Sequence, residues 1–544
     1  MVGRKDGSSP KGDMKTNTLC GREKLPALEG PAILFEAHFR DTLLLFCRSV
    51  LILSLKAGLC FVMLFPGTAT AQLQLAWVAR YTNGMVNGTN QPIGMALDNA
   101  SNICVAGYSE NTNGNLGYVT IKYAPNGVQL WATRLDLTNS TQAIPAALAV
   151  DGSNNVLVTG NAGTVKYDPN GNQLWLAPYP GSAVATDSNG AVFVTGSPAA
   201  SNIVKLSSSG SNLWVASPYP EPTSWQSVLL DGKGNPYVSG DVVGFTGLPS
   251  SNDLQSLQLN SSNGIPESTY VSVPSEIINP EDNPPQIAGA AMDGAGNFYV
   301  GAAFGSGSQF IAEKWNIPGG ERGFWFESFP LTVTTKGTGL VLDSAANVLV
   351  TGQTQDASSN LCYGTIKISA TGVPAWTNYY SQSEGGESAA TSLAVDAANN
   401  CYVTGYSSDS NGINDMVTVK YSTSGRQAWS QRYVNSAGGD STGEAVAADH
   451  QGNLYVTGYE TLSGGGTGMV TIKYAPFTIA PQPDGAVLVQ AEGSPGESFD
   501  FWASSDLRTW LNLGSAVADT NGAAQFLDTG ASNFSARFYY TNPQ

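Results

Sequence analysis

Histidine is nearly absent from this chain: two occur in 544 residues, and only His450 lies beyond residue 71. A hydrolytic triad built on an imidazole base therefore has one candidate. That candidate sits in the turn "DHQGN", where other copies of the same turn carry Gly, Ser or Ala, and it reads as a solvent-exposed turn residue. Cysteine is equally sparse. After residue 71 only Cys104, Cys362 and Cys401 remain, an odd set without a CxxC pair. Neither a disulfide framework nor a zinc site follows from it, and these residues read as small buried hydrophobes. No metal and no cofactor is expected. Charge is scarce too, at 12% of residues, and one sign dominates. Nine Lys and Arg and six Asp and Glu lie up to Ala71, leaving 16 basic and 36 acidic residues beyond it, a net of −20. Such a surface repels phosphate backbones and anionic lipid, which excludes nucleic acid and peripheral membrane binding as expected roles.

Long apolar runs are missing except for one. "RSVLILSLKAGLCFVMLFPGTATAQ" opens on Arg48, continues apolar from about Leu51 to Phe65, and ends in Ala69-Thr70-Ala71. Basic start, apolar middle and small-residue end form the pattern of a secretory signal, with cleavage expected after Ala71. Lys56 and Pro66 interrupt the run too early for a membrane span of about 20 residues. An exported protein, secreted or held at the cell envelope, is the expectation.

Glycine, serine, threonine and asparagine are plentiful, and they recur on a pattern. "GYVTIKY" (Gly117–Tyr123) returns as "GMVTIKY" (Gly468–Tyr474), with echoes at "GTVKY", "YGTIKI" and "DMVTVKY". Upstream of these strands runs an approximate A-x-D-x-x-x-N-x-x-V-x-G unit, as in "AVDGSNNVLVTG" and "AADHQGNLYVTG". Its aspartates are Asp98, Asp151, Asp187, Asp231, Asp293, Asp343, Asp396 and Asp449, spaced 36 to 62 residues apart. Downstream come a Gly-bearing turn and a strand with a Trp: Trp131, Trp175, Trp214, Trp376, Trp429 and, more loosely, Trp325. Four short strands per unit, repeated along the chain, are the signature of a β-propeller. "LAWVARYTNG" (Leu75–Gly84) is a fourth strand with no first three before it, and the last unit ends without its Trp strand. The N-terminal strand is therefore expected to complete the final blade. Eight blades follow, or seven if residues 241–286 do not form a full one.

The A-x-D-x-x-G-N-x-Y-V-T-G and V-T-I-K-Y segments resemble those of the β-propeller repeat (SBBP) proteins of bacterial envelopes, over about 75% of the chain. The resemblance implies a secreted or surface-displayed propeller with no defined chemistry. The family is associated with seven blades, whereas the units here count to eight.

The expected organisation is thus all-β. An N-terminal extension and signal (1–71) precede the propeller (72–476), a linker (477–485) and a small β-sandwich-like module (486–544). "SSDLRTW" (Ser504–Trp510) approaches the sialidase S-x-D-x-G-x-T-W box, but is one residue short and lacks the Gly. It reads as a turn between two strands. The repeat aspartates read as turn-pinning residues that accept backbone N–H bonds. The strand-three lysines Lys122, Lys166, Lys205, Lys314, Lys367, Lys420 and Lys473 are expected to lay their stems on apolar surface, with the repeat Asp as one partner. Turns after strands one and three are short, while loops after strands two and four vary and share the other end, where binding on a rigid scaffold concentrates. Glu384, Glu387, Asp409, Asp415, Asp440 and Glu444 fall there as candidate binding residues, against a plain reading as a solvated acidic rim. No residue is assigned as catalytic. The expected function is a monomeric, non-catalytic binding or scaffold protein whose partner is an envelope glycan or protein. The competing expectation is a polysaccharide lyase or glycosidase using loop carboxylates.

Overall fold

The computed structural model describes residues 73–543 apart from 86, 138–141, 197–201, 219–223, 244–251, 273–285, 305–308, 316–325, 330–338, 357–359, 382–385, 507 and 535–536. The expected signal and its cleavage site, Glu384 and Trp325 lie outside the described residues. Among the described residues the architecture is all-β, with eight antiparallel four-stranded sheets and two three-stranded ones. In chain order the four-stranded sheets span 90–135 (sheet 1), 145–177 (sheet 2), 183–216 (sheet 3), 224–272 (sheet 4), 286–329 (sheet 5), 340–380 (sheet 6), 388–433 (sheet 7) and 441–476 (sheet 8). Sheets 1 to 7 are each built from four consecutive strands. Sheet 8 takes its fourth from the N-terminal strand Leu73–Tyr81. The first strand of each sheet touches that of the next, and the first strand of sheet 8 touches that of sheet 1. This arrangement is consistent with a β-propeller. Residues 241–286, which left seven blades open, contribute strands to sheets 4 and 5.

Burial follows from position within the sheet. In sheet 1 the second strand, Ile103–Glu110, and the third, Leu116–Tyr123, are buried on both faces, so no polar–apolar alternation marks them. The fourth strand, Gln129–Leu135, has only exposed and half-buried positions. A sheet with two apolar faces needs a neighbour on each side, and repetition supplies one.

The repeated polar residues are explained by these burials. Thr159 and Thr164, Thr351 and Thr365, Thr404 and Thr418, and Thr457 and Thr471 face each other across strands two and three at 2.8 to 3.2 Å. Each pair satisfies two buried hydroxyls with one bond. Where both strands carry the threonine, the two are therefore mutual partners; in sheet 1 Ala106 faces Thr120 instead.

Trp and Gly join one sheet to the next. The indole N–H of Trp77 donates to Pro125 O (2.9 Å), and that of Trp131 to Pro169 O (2.9 Å), each in the turn of the following sheet. Gly127 lies in that turn at φ 85°, where a Cβ would stand 2.8 Å from the Trp77 ring. Gly171 repeats the contact on Trp131. The terminal Tyr of the third strand fills the space behind: Tyr123 packs on Trp77, Tyr167 on Trp131, Tyr421 on Trp376 and Tyr474 on Trp429.

The C-terminal module pairs the sheet of Thr478–Pro481, Val487–Glu492 and Ala523–Asp528 with that of Leu511–Val517, Ser498–Ser504 and Phe538–Pro543. Val489, Phe499, Phe501 and Ala524 form its core. Residues 477–485, expected as a linker, supply one of these strands: Thr478–Pro481 pairs with Val487–Gln490 around the turn at Gly485. Its alternating side chains are all exposed, so no hydrophobic periodicity marked it.

Candidate functional site at the variable-loop end

Each repeat aspartate accepts the backbone N–H groups two and four residues on. Asp98 Oδ1, for instance, accepts Ala100 N (2.8 Å) and Asn102 N (2.9 Å), while Oδ2 takes the Asn102 amide (2.8 Å). Asp151, Asp187, Asp231, Asp293, Asp343, Asp396 and Asp449 use the same two backbone donors. One residue opposite the lysine then decides what else the carboxylate meets. Cys104, Leu157 and Leu349 face Lys122, Lys166 and Lys367, and there the ammonium reaches Asp98, Asp151 and Asp343 at 2.8 Å. Tyr299, Tyr402 and Tyr455 face Lys314, Lys420 and Lys473. In those sheets the phenol donates to Asp293, Asp396 and Asp449, and the lysine lies over the ring. Lys473 turns instead to Glu492 of the C-terminal module at 2.5 Å.

The candidate binding acids are placed differently from one another. Asp409 is half-buried and caps its own turn, accepting Asn411 N (2.8 Å) and Ile413 N (2.9 Å). Those backbone donors hold its carboxyl below the usual carboxylate range. Asp415 belongs to the strand Asn414–Tyr421 rather than a loop, and is buried beneath Arg432 at 2.5 Å. Burial nevertheless pushes its carboxyl up, with Arg432 opposing. Asp440 accepts Asn414 N at 2.9 Å. Glu387 and Asp409, with Ser408, Ser410 and Asn414, line a surface depression of about 460 Å³. Glu444 also lies in a strand, Ser441–Ala448, at the bulge between Gly443 and Ala445.

Three residues that the sequence reading did not single out complete this end. Tyr108, Tyr406 and Tyr459 each follow the glycine that closes the V-x-G of strand two, in the consecutive sheets 1, 7 and 8. All are half-buried, and Tyr108 donates to the Gln91 side-chain carbonyl. Their signal was the change of residue at one fixed repeat position, where sheet 2 has Asn161, sheet 4 Asp241 and sheet 6 Gln353. Beside them, Arg80 of the N-terminal strand donates to Glu460 (2.6 Å) and to the Tyr433 hydroxyl (2.7 Å), which in turn donates to Glu460 (2.7 Å).

Other candidates from sequence fall into structural places. His450 is an exposed turn residue. Cys104, Cys362 and Cys401 are buried free thiols, and burial pushes those of Cys104 and Cys401 up to about 12. Asp506 of "SSDLRTW" accepts the N–H groups of Thr509 and Arg508, which hold its carboxyl at about 2. Among the described residues, no three His, Cys, Asp or Glu side chains come together to hold a metal ion, and no helix is long and apolar enough to cross a membrane.

No protein-family model matches the chain, and no curated protein matches it. Among solved structures it is similar to a protein of unknown function from Dyadobacter fermentans, with 11% identity over 74% of this chain and 99% of that one, at a TM-score of 0.38. It is also similar to the extracellular domain of a candidate hybrid two-component system from B. thetaiotaomicron, with 10% identity over 83% and 70% of the chains and a TM-score of 0.26. A third similarity is to regucalcin, a calcium-binding protein from Agrobacterium tumefaciens, with 14% identity over 51% and 88% and a TM-score of 0.28. These TM-scores are all below 0.5, and the description of the fold rests on the chain's own sheets.

Proposed function

We propose that this chain is an exported, monomeric, non-catalytic binding or scaffold protein of the cell envelope, built as an eight-bladed propeller of the SBBP kind and closed by its N-terminal strand. Its ligand is a glycan or protein met at the variable-loop end. The observation that carries this reading is how three of the candidate acids are held. Asp409, Asp415 and Asp440 are held by a turn, an arginine and a neighbouring N–H respectively. A glycosidase needs two carboxyls set about 5–10 Å apart across a sugar, with one free to carry a proton. Acids committed to local partners shape a surface instead. The eight four-stranded sheets and the contact of sheet 8 with sheet 1 support the blade count and the closure. The test is to incubate the full chain with peptidoglycan, envelope polysaccharides and envelope protein extracts, measuring retention and soluble products in the same samples. Saturable retention without products is expected. Release of oligosaccharides would establish the lyase or glycosidase instead.

A further inference from the structure

One sheet of the C-terminal module carries aromatic side chains on its outer face. Phe499, Phe501 and Ala503 of the strand Ser498–Ser504 are buried on the core side, so alternation turns Asp500, Trp502 and Ser504 the other way. Trp502 stands opposite Tyr540 of Phe538–Pro543. Their ring centroids lie 5.9 Å apart, with planes 6° from parallel. Trp510, just before Leu511–Val517, meets the Tyr540 ring edge-on at 4.7 Å and 81°. Phe538, two residues along the strand from Tyr540 and so on the same face, is 38% exposed. None of these four rings belongs to the module's core.

Their polar groups are not used within the protein. In the propeller the indole N–H groups of Trp77, Trp131, Trp175, Trp214 and Trp376 each donate to a carbonyl in a turn of the next sheet. Among the described residues, Trp502 Nε1, Trp510 Nε1 and Tyr540 Oη have no such partner, and none of the three atoms is enclosed. The nearby carboxylates, in contrast, are engaged. Asp500 accepts the Ser515 hydroxyl at 2.5 Å. Asp506 accepts the Ser504 hydroxyl (3.0 Å) and the N–H groups of Arg508 (2.9 Å) and Thr509 (2.8 Å), which fixes the chain's approach to Trp510. The face therefore offers apolar ring surface edged by neutral hydrogen-bonding groups.

That combination selects the occupant. A pyranose carries C–H groups that meet the negative face of an aromatic ring, and hydroxyls that bond to donors and acceptors at its edge. A second copy of the chain would bring like charge, since residues 486–544 hold six acidic residues against two basic ones. Nucleic-acid bases stack on such rings, but their phosphates would meet the same charge. A cation would need a carboxylate without a partner. We propose that the face formed by Trp502, Trp510 and Tyr540 binds a neutral pyranose polysaccharide. The site lies on the C-terminal module and does not depend on the ligand proposed for the loop end.

The test is titration calorimetry of the full chain with cellotetraose, chitotetraose, xylotetraose, mannotetraose and maltotetraose. At least one should saturate a single site. Trp502→Leu and Trp510→Ala should each weaken that site at least about tenfold, whereas Trp502→Phe, which keeps an aromatic ring, should retain most of it. Leu174→Ala, which trims an exposed side chain on sheet 2, should leave it unchanged. Saturation by none of the five sugars would overturn the proposal. So would affinity unaltered in Trp502→Leu, or lost equally in Leu174→Ala. A lysine-rich peptide bound in place of the sugars, or a dimer in sedimentation equilibrium that Trp502→Leu dissolves, would give the face to another occupant and overturn it too. The loop-end reading stands or falls separately, because retention of envelope material there should persist in Trp502→Leu.

Discussion

Trp77 stands directly across from Lys473 in sheet 8, and its indole N–H reaches on to Pro125 in the turn of sheet 1. One residue near the start of the described chain thus completes the last sheet and contacts the first. Trp77 is 3% exposed, and its ring packs on Tyr123 of sheet 1 and Tyr455 of sheet 8. Trp77→Ala removes a buried aromatic at this junction and should cost about 3–5 kcal/mol, read as a fall in the denaturant midpoint. Deleting Leu73–Tyr81 should lower stability further, because it also frees the edge of Thr467–Pro476. Deleting residues 486–544 should cost less, since it breaks the Lys473–Glu492 pair and the Thr541–Gln74 hydrogen bond but leaves all eight sheets paired. Greater loss from the C-terminal deletion would contradict the role given to the N-terminal strand.

The Lys166–Asp151 pair, with side chains 3% and 3% exposed, invites a double-mutant cycle. Asp151→Asn leaves a buried ammonium without its counter-charge and should cost about 3–5 kcal/mol. Adding Lys166→Met removes the stranded charge and should recover most of that loss. A matching exchange tests the aromatic rule. In Tyr402→Leu, sheet 7 acquires the pattern of sheet 6, and a crystal structure should show Lys420 Nζ within salt-bridge distance of Asp396. Lys420 remaining where the ring stood would show that the opposing residue does not control the pairing.

Much of this was legible beforehand. The repeat displays its strands, its Asp turn and the missing Trp strand because each recurs at a fixed offset, and offset survives translation into structure. The lysine's partner was only half legible. Whether it meets Asp or a ring depends on the residue opposite it, a cross-strand fact that repeat alignment shows only when two columns are read together. The candidate site was the least legible part. Asp415 and Glu444 read as loop acids, yet they lie in strands, and where a strand begins within a repeat is a matter of register. Tyr108, Tyr406 and Tyr459 sit at a repeat position whose residue varies, so a consensus built on what recurs passes over them.

Acid should destabilise the fold through the ion-paired aspartates. At Asp98, burial opposes ionisation, but Lys122, Asn102 and Ala100 outweigh it and hold the carboxyl below the usual range. Asp151 and Asp343 are set the same way by Lys166 and Lys367 with their turn donors. A carboxyl whose folded pKa is depressed contributes stability that is complete above the unfolded value of about 4 and is lost as pH falls through the lower folded value. Asp415 has the opposite sign, because its raised pKa favours the folded state on protonation. Thermal midpoints should be level between about pH 5 and 7 and drop below about pH 4. In Asp98→Asn the drop should be shallower, from a lower starting point.

The fourth residue of the Asp turn takes a positive φ in every repeat, and only some repeats supply a residue suited to it. Gly234, Gly296 and Gly452 occupy it at 81°, 81° and 86°, and Asn154 and Asn399 at 64° and 62°. In sheet 6 the residue is Ala346 at 58°. An alanine Cβ in the left-handed region costs about 1–2 kcal/mol, whereas glycine carries only its extra unfolded-state entropy of about 0.5–1 kcal/mol. Ala346→Gly should therefore stabilise the chain by up to about 1 kcal/mol, measured as an upward shift in denaturant midpoint at unchanged slope. The same substitution at Ala345, which donates its N–H to Asp343 from the preceding position and is absent from the positive-φ set, should destabilise. If both glycines act alike, the gain does not come from relieving the left-handed backbone.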